Sequence, residues 1–213
     1  MNIVIFGPQG SGKRVQAKKI AEKYNLEHIE TGQIFREIAE EKTKLGKKIH
    51  KLINEKNDMV PDSDTVEVLK HYLDKISPEK GVILDSAPRT AGQIEPVEKM
   101  LKERGRSLHK AICIKLPKEE SIARISKRYM CPKCHRDFVL GKDIQSAEDR
   151  CPICGGKIRQ RKDDTPEGVE KRLNIFYETT SSVIDHYRKK GLLLEVDGNQ
   201  EIEKVFEDIV KNL

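Results

Sequence analysis

The sequence has no tryptophan and, in 213 residues, only five tyrosines and five phenylalanines. The aromatic platforms on which single-stranded nucleic acid stacks, interleaved with basic residues, are therefore missing, and no nucleic-acid partner is expected. No apolar run approaches the roughly 18 residues that a membrane helix requires, and mean hydropathy is -0.65. The opening stretch MNIVIFGPQG lacks the basic start, long apolar centre and cleavage site of a signal peptide. These absences predict a cytoplasmic protein with no membrane partner. A strong excess of one charge is also missing. Lys and Arg number 41 against 35 Asp and Glu, a net +6 spread along the chain, which suits anionic ligands without identifying one. Internal repeats and low-complexity segments are absent, and nothing marks a subunit contact.

What is present suits a folded α/β chain. Charged and hydrophobic residues each make up 36%, and the length supports a core without staples. Dividing the length by roughly 150 residues per domain gives between one and two domains. Short apolar runs at 2–6, 27–30, 81–85, 110–116 and 192–196 read as buried strands. Helical spacing fills the intervals at about 13–23, 33–44, 46–56, 62–76, 90–104 and 118–128. After the cysteine segment, a helix from Thr165-Pro166 runs to Lys190, where Gly191 stops it, and 199–212 forms the last helix. Strands alternating with helices predict a five-stranded parallel sheet with right-handed crossovers.

Residues 7–13, Gly-Pro-Gln-Gly-Ser-Gly-Lys, match G-x-x-x-x-G-K between a strand and a helix. Glycines let backbone N–H groups wrap a phosphate, the helix N-terminus adds partial positive charge and Lys13 a full one. The spacing is not that of a dinucleotide fingerprint. Lys13 is followed by Arg14 and Val15, neither of which carries the usual hydroxyl. Either Arg14 supplies charge in its place, or the loop relies on backbone amides. Four of the five cysteines form two pairs, Cys131-Pro-Lys-Cys134 and Cys151-Pro-Ile-Cys154. Two such knuckles bring four thiolates into the tetrahedron that zinc prefers, with Zn–S near ~2.3 Å, and leave no open position, as in a structural site. Disulfides and iron are the competing readings. His135 is a bystander to a complete shell, and Cys113, inside an apolar strand, is a core residue.

These motifs, in order, resemble the adenylate kinase family over nearly the whole chain. Its phosphate loop corresponds to GPQGSGKRVQ at 7–16, and its threonine-glycine motif to Glu30-Thr31-Gly32, followed by Arg36. Its D-G-x-P-R-T-x-x-Q signature corresponds to residues 85–93, DSAPRTAGQ. Its lid arginines correspond to Arg124 and Arg128, its R-K-D-D to residues 161–164 and its K-R-L to 171–173. The resemblance implies a P-loop NTPase-type core at 1–30, 76–128 and 163–213. A helical insert at 31–75 would close over a nucleoside monophosphate, and a zinc-bearing lid at 129–162 over ATP. The implied reaction is ATP + AMP = 2 ADP. Lys13, Arg89, Arg124, Arg128, Arg161 and Arg172 would be catalytic. Gly7, Gly10, Ser11, Gly12, Lys13, Arg14, Val15 and Arg124 would bind ATP. Thr31, Arg36, Val60, Arg89, Gln93, Arg161 and Arg172 would bind AMP, Gln93 touching the base, while Asp85 would hold Mg2+ through water. The small-molecule partners are then ATP, AMP and ADP.

Elementary chemistry points the same way. Phosphoryl transfer needs positioning and charge neutralisation, and a phosphate acceptor with a second pKa near ~6 needs no general base. None of the six histidines has a catalytic setting. The chain departs from the family pattern at Arg14, Val15, Gln33, Ser86 and Ala87. Replacing an aromatic by Ala87 is expected to loosen packing at the base, so AMP is preferred but other monophosphates are accepted. A kinase of the same fold acting on UMP, CMP or GMP is the alternative reading, and a zinc-ribbon nucleic-acid module a weaker third.

Overall fold

The computed structural model describes residues 1–213 apart from 57, 135, 162 and 163. The chain runs β1 (Asn2–Phe6), α1 (Lys13–Tyr24), β2 (Glu27–Glu30), α2 (Thr31–Ala39), α3 (Lys44–His50), a π-helical turn (Lys51–Lys56) and α4 (Asp62–Leu73). It continues through β3 (Val82–Asp85), α5 (Ala91–Glu103), β4 (Lys110–Lys115), α6 (Lys118–Ser126), β5 (Arg128–Met130) and β6 (Asp137–Val139). It closes with α7 (Pro166–Lys189), β7 (Leu193–Asp197) and α8 (Ile202–Val210).

An uninterrupted apolar strand such as NIVIF needs backbone partners at both edges and apolar cover on both faces. β1 obtains both, lying between β3 and β4 in a parallel sheet of order β2-β3-β1-β4-β7. Side chains alternate between two cores. Val4, Phe6, Val82, Leu84, Ala111 and Cys113 join the core on the side of Val97 and Tyr187. Ile3, Ile5, Ile83, Ile112 and Ile114 face the opposite one, with Ala17, Ile20, Val205 and Ile209. Each fully buried isoleucine or leucine contributes about 1.5–3 kcal/mol, so the central strands dominate the fold's stability. Cys113 is the core residue expected of it, and burial pushes its thiol up to about 12. Among the described residues, no helix is long and apolar enough to cross a membrane.

Three local expectations change. The helix expected over 33–44 starts at Thr31 and ends at Ala39. A new helix then begins at Lys44, where the Thr43 hydroxyl accepts from the Gly46 N–H at 2.9 Å, and the segment expected as α-helix to 56 continues from His50 as a π-helical turn. The helix expected to reach Arg128 stops at Ser126, because Arg128 pairs with Val139 in the antiparallel β5–β6 ribbon. That ribbon opens an excursion with a small core of its own, built from Phe138, Ile144, Ile158 and the cysteines.

The start of α7 follows its sequence signal: the Thr165 hydroxyl accepts from the Gly168 N–H at 3.1 Å, with Pro166 in the first turn. Thr165→Ala should therefore cost about 1 kcal/mol, lowering the melting temperature by about 2–4 °C in thermal denaturation. An unchanged melting temperature would deny the cap its role.

Candidate active site

The strand order places the ends of β1 and β3 side by side at the carboxyl edge of the sheet, where loops of open α/β sheets bind ligands. The β1–α1 loop turns there, with Gly10 at φ 79° and Gly12 at φ 81°, a left-handed backbone that glycine adopts without cost. α6 braces the loop from behind. The Ser121 hydroxyl donates to the Gln9 carbonyl, and Arg124 donates to Gly10 O at 3.3 Å, Gly198 O at 3.0 Å and Asn199 Oδ1 at 3.1 Å.

Beside the loop lies a cavity of about 280 Å³. Among the residues singled out from the sequence, Gly7, Lys13, Thr31, Arg36, Val60, Arg89, Gln93, Arg128, Arg161 and Arg172 line it. Asp85 is buried at the end of β3, next to the lining residue Ser86. Gly10, Ser11, Gly12, Arg14, Val15 and Arg124 do not line this cavity. Arg124 belongs to the outer side of the phosphate loop, and Val15 is an exposed residue of α1.

Carboxylates hold the converging cations in place. Arg128 donates through Nε and Nη2 to Asp164 at 2.9 and 2.6 Å, and Arg172 Nη2 donates to the same carboxylate at 2.7 Å. Arg161 Nη2 donates to Asp137 at 3.0 Å, and Arg36 Nη2 to Glu30 at 3.2 Å. Burial opposes the Asp164 charge, yet the two arginines outweigh it and hold its carboxyl below the usual range. At Asp85, burial is likewise outweighed, here by His28, Lys13 and the Ser86 hydroxyl. The cations are less well served. Burial pushes Lys13 down to about 8; Asp85 opposes the shift, and Arg89 and Arg128 deepen it. Burial and then Arg161 lower Arg36 to about 10, while burial and then Arg172 lower Arg89. Each of these shifts would be relieved by an anion. Moreover, the Ser11 and Thr31 hydroxyl oxygens are buried without a hydrogen-bond partner among the described residues. Thr31 lines the cavity together with Lys13, Arg36 and Arg89, and an unpaired buried hydroxyl among desolvated cations suits a phosphate oxygen.

The family model described as adenylate kinase matches residues 5–192. The chain belongs to the adenylate kinase family. It is 41% identical, over all of its 213 residues and 96% of the relative, to the adenylate kinase of Caldanaerobacter subterraneus subsp. tengcongensis. Over 98% of this chain and 96% of each relative, it is 39% identical to the adenylate kinases of Archaeoglobus fulgidus and Methanosarcina acetivorans. As a member of that family it is a nucleoside monophosphate kinase, a phosphotransferase.

Several functional neighbours were not legible in the adenylate kinase motifs. Asp62 accepts from Gln93 Nε2 at 2.7 Å and from Thr90 Oγ1 at 2.8 Å, while Gln93 Oε1 accepts from the Arg89 N–H at 2.8 Å. The Gln93 amide is thus fixed end to end. Asp62 reads in sequence only as an acidic residue at a helix start. Ile53 and Asn54 of the π-helical turn also line the cavity, as do Phe176 and Thr180 of α7. Ala87 corrects an expectation: it is fully buried in the core and does not line the cavity, whereas its neighbour Ser86 does, at φ 68°.

The four paired cysteines are unbridged, and their sulfurs all lie within 4.8 Å of one another. Cys131 Sγ and Cys154 Sγ are 3.5 Å apart, as are Cys134 Sγ and Cys151 Sγ. A tetrahedron with Zn–S near ~2.3 Å has edges of about 3.8 Å, so this donor set fits zinc. Burial opposes ionisation of Cys151, yet the Ile153 and Cys154 backbone N–H groups outweigh it and hold the thiol at about 7. At Cys154 the Gly156 N–H is outweighed by burial and the neighbouring cysteine sulfurs, which push the thiol up to about 12. His135, Lys162 and Asp163, singled out from the sequence, lie outside the described residues.

Two measurements follow. Metal analysis should return about one zinc per chain, and Cys131→Ser should melt earlier than the parent; a metal-free protein with unchanged melting would refute a structural metal. Asp62→Asn should raise KM for the nucleoside monophosphate about tenfold through loss of Gln93 alignment, with KM for the donor little changed. Equal changes in both would mean a general loss of structure.

Proposed function

We propose that this chain catalyses reversible transfer of the γ-phosphoryl group from ATP to AMP, giving two ADP. The observation that carries the reading is the convergence of Lys13, Arg36, Arg89, Arg128, Arg161 and Arg172 on one cavity. Catalysis by such a set is stabilisation of charge on the transferring group, with little covalent work for the protein. The acceptor phosphate is largely deprotonated at neutral pH, so no base need take a proton from it.

In this reading Thr31, Arg36, Val60, Arg89 and Gln93 hold AMP, Gln93 toward the base. The backbone of Gly7, Gly10, Ser11, Gly12, Lys13, Arg14 and Val15 faces the phosphates of ATP, with Arg124 on its outer side. Arg128, Arg161 and Arg172 grip the transferring group in two-point fashion. Asp85 would hold Mg2+ through water, and the ion, when bound, neutralises charge across the donor's phosphate oxygens.

Residues 31–75 act as the insert that closes over AMP, and 129–162 as the lid over ATP, on a core of 1–30, 76–128 and 163–213. Ion pairs join these parts: Lys171 donates to Asp58 at 2.7 Å, and Arg14 lies 3.6 Å from Asp137. Zinc on Cys131, Cys134, Cys151 and Cys154 would stiffen a lid whose own apolar core is small.

The test is ADP production from ATP with AMP, UMP, CMP and GMP assayed in parallel. AMP should give the highest kcat/KM, and Lys13→Ala should lower kcat by about 10²–10³. Turnover that survives Lys13→Ala unchanged, or that prefers another monophosphate, would overturn the proposal.

A further inference from the structure

Arg14 stands where the family's phosphate loop has glycine, and its side chain is committed elsewhere. Its Nε lies 2.7 Å from Glu30 Oε2 at the end of β2, and its Nη1 lies 3.6 Å from Asp137 Oδ2 at the start of β6. The other links extend in both directions. Glu30 Oε1 accepts from Arg36 Nη2 at 3.2 Å, and Asp137 accepts from Arg161 Nη2 at 3.0 and 3.2 Å. The result is an alternating series, Arg36–Glu30–Arg14–Asp137–Arg161, with Arg14 at its centre. Arg36 lies in α2 of the insert, Glu30 and Arg14 in the core, and Asp137 and Arg161 in the 129–162 excursion. Arg36 and Arg161 line the cavity; Arg14 does not.

We propose that Arg14 is a positioning residue that docks the lid onto the core through Asp137 and, through Glu30, ties that docking to the monophosphate insert. The proposal rests on the kinase reading above. Three arginines held this close repel one another unless carboxylates alternate between them, and Glu30 and Asp137 meet that need. Asp137 is attracted to Arg14 only when the lid lies over the phosphate loop. The same carboxylate then fixes the position of Arg161, a group aimed at the cavity. Arg14 therefore favours the docked lid from outside the cavity lining. Weaken that contact and the docked fraction falls, and the apparent affinity for the nucleotide beneath the lid falls with it.

Arg14→Gly, Asp137→Asn and the double variant of the full chain test this in steady-state kinetics, alongside the distance between lid and core dyes in the nucleotide-free protein. Each single variant should raise KM for MgATP about two- to fivefold, more than it lowers kcat, and should lengthen the dye distance. The double variant should lose less than the product of the two single losses, because both remove the one Arg14–Asp137 contact, and Arg14→Lys should restore part of the loss. Losses that multiply fully in the double variant would overturn the proposal, because the two side chains would then act independently of each other. An unchanged dye distance in Arg14→Gly would overturn it as well. Failure of the kinase reading looks different: the parent chain would transfer no phosphoryl group to any monophosphate, while the dye distances would still report whether Arg14 docks the excursion.

Discussion

Mutual repulsion among cations gathered in one poorly solvated cavity is the constraint on which the rest of this structure depends. Five arginines and Lys13 line a space of about 280 Å³. In water such charges would separate; here backbone and carboxylates hold them at fixed positions. Asp164 serves Arg128 and Arg172, Asp137 serves Arg161 and Arg14, and Glu30 serves Arg36 and Arg14. Burial first, and then Arg89 and Arg128, still hold the Lys13 ammonium down to about 8 in spite of Asp85. A site in this condition is stabilised by the charge that a phosphoryl group brings, and most of all by the extra charge of a transferring one.

The fold supplies the rigidity that this repulsion demands. β1 and β3 are buried on both faces and deliver the phosphate loop and Asp85 side by side. α6 hydrogen-bonds the back of the loop, and α7, the longest helix, carries Arg172 while packing Val183 and Tyr187 into the core. The remaining cations arrive on peripheral pieces, Arg36 on a short helix and Arg161 on the cysteine-bearing excursion. Rigid core and ion-paired periphery fit a kinase that must admit two nucleotides and then exclude water around them.

Much of this was legible in one dimension. β1, β2, α1 and the first turn of α7 lie where apolar runs, glycines and the Thr165-Pro166 cap put them. Local signals failed where long-range pairing decided. Arg128 leaves helix for strand because Val139 offers it a ladder partner, and residues 51–56 form a π-helical turn for which the sequence carries no cue. Asp62, in sequence only an acidic residue at a helix start, is also the hydrogen-bond partner of Gln93, thirty-one positions away. Ala87 packs into the core while Ser86 and Pro88 on either side of it line the cavity.

The sheet-building strands, the phosphate loop, the two cysteine pairs and the family were all readable from residue type at short spacing. How charges far apart in sequence pair is a matter of the folded chain: Asp164 lies between Arg128 and Arg172, and Arg14 between Glu30 and Asp137. A charge–charge interaction depends on distance in space, and side chains 123 positions apart, such as Arg14 and Asp137, meet only because the sheet and its excursions bring them together. The chain arrived with little excess charge of either sign and very few aromatics. Its chemistry comes from where a handful of its basic residues converge.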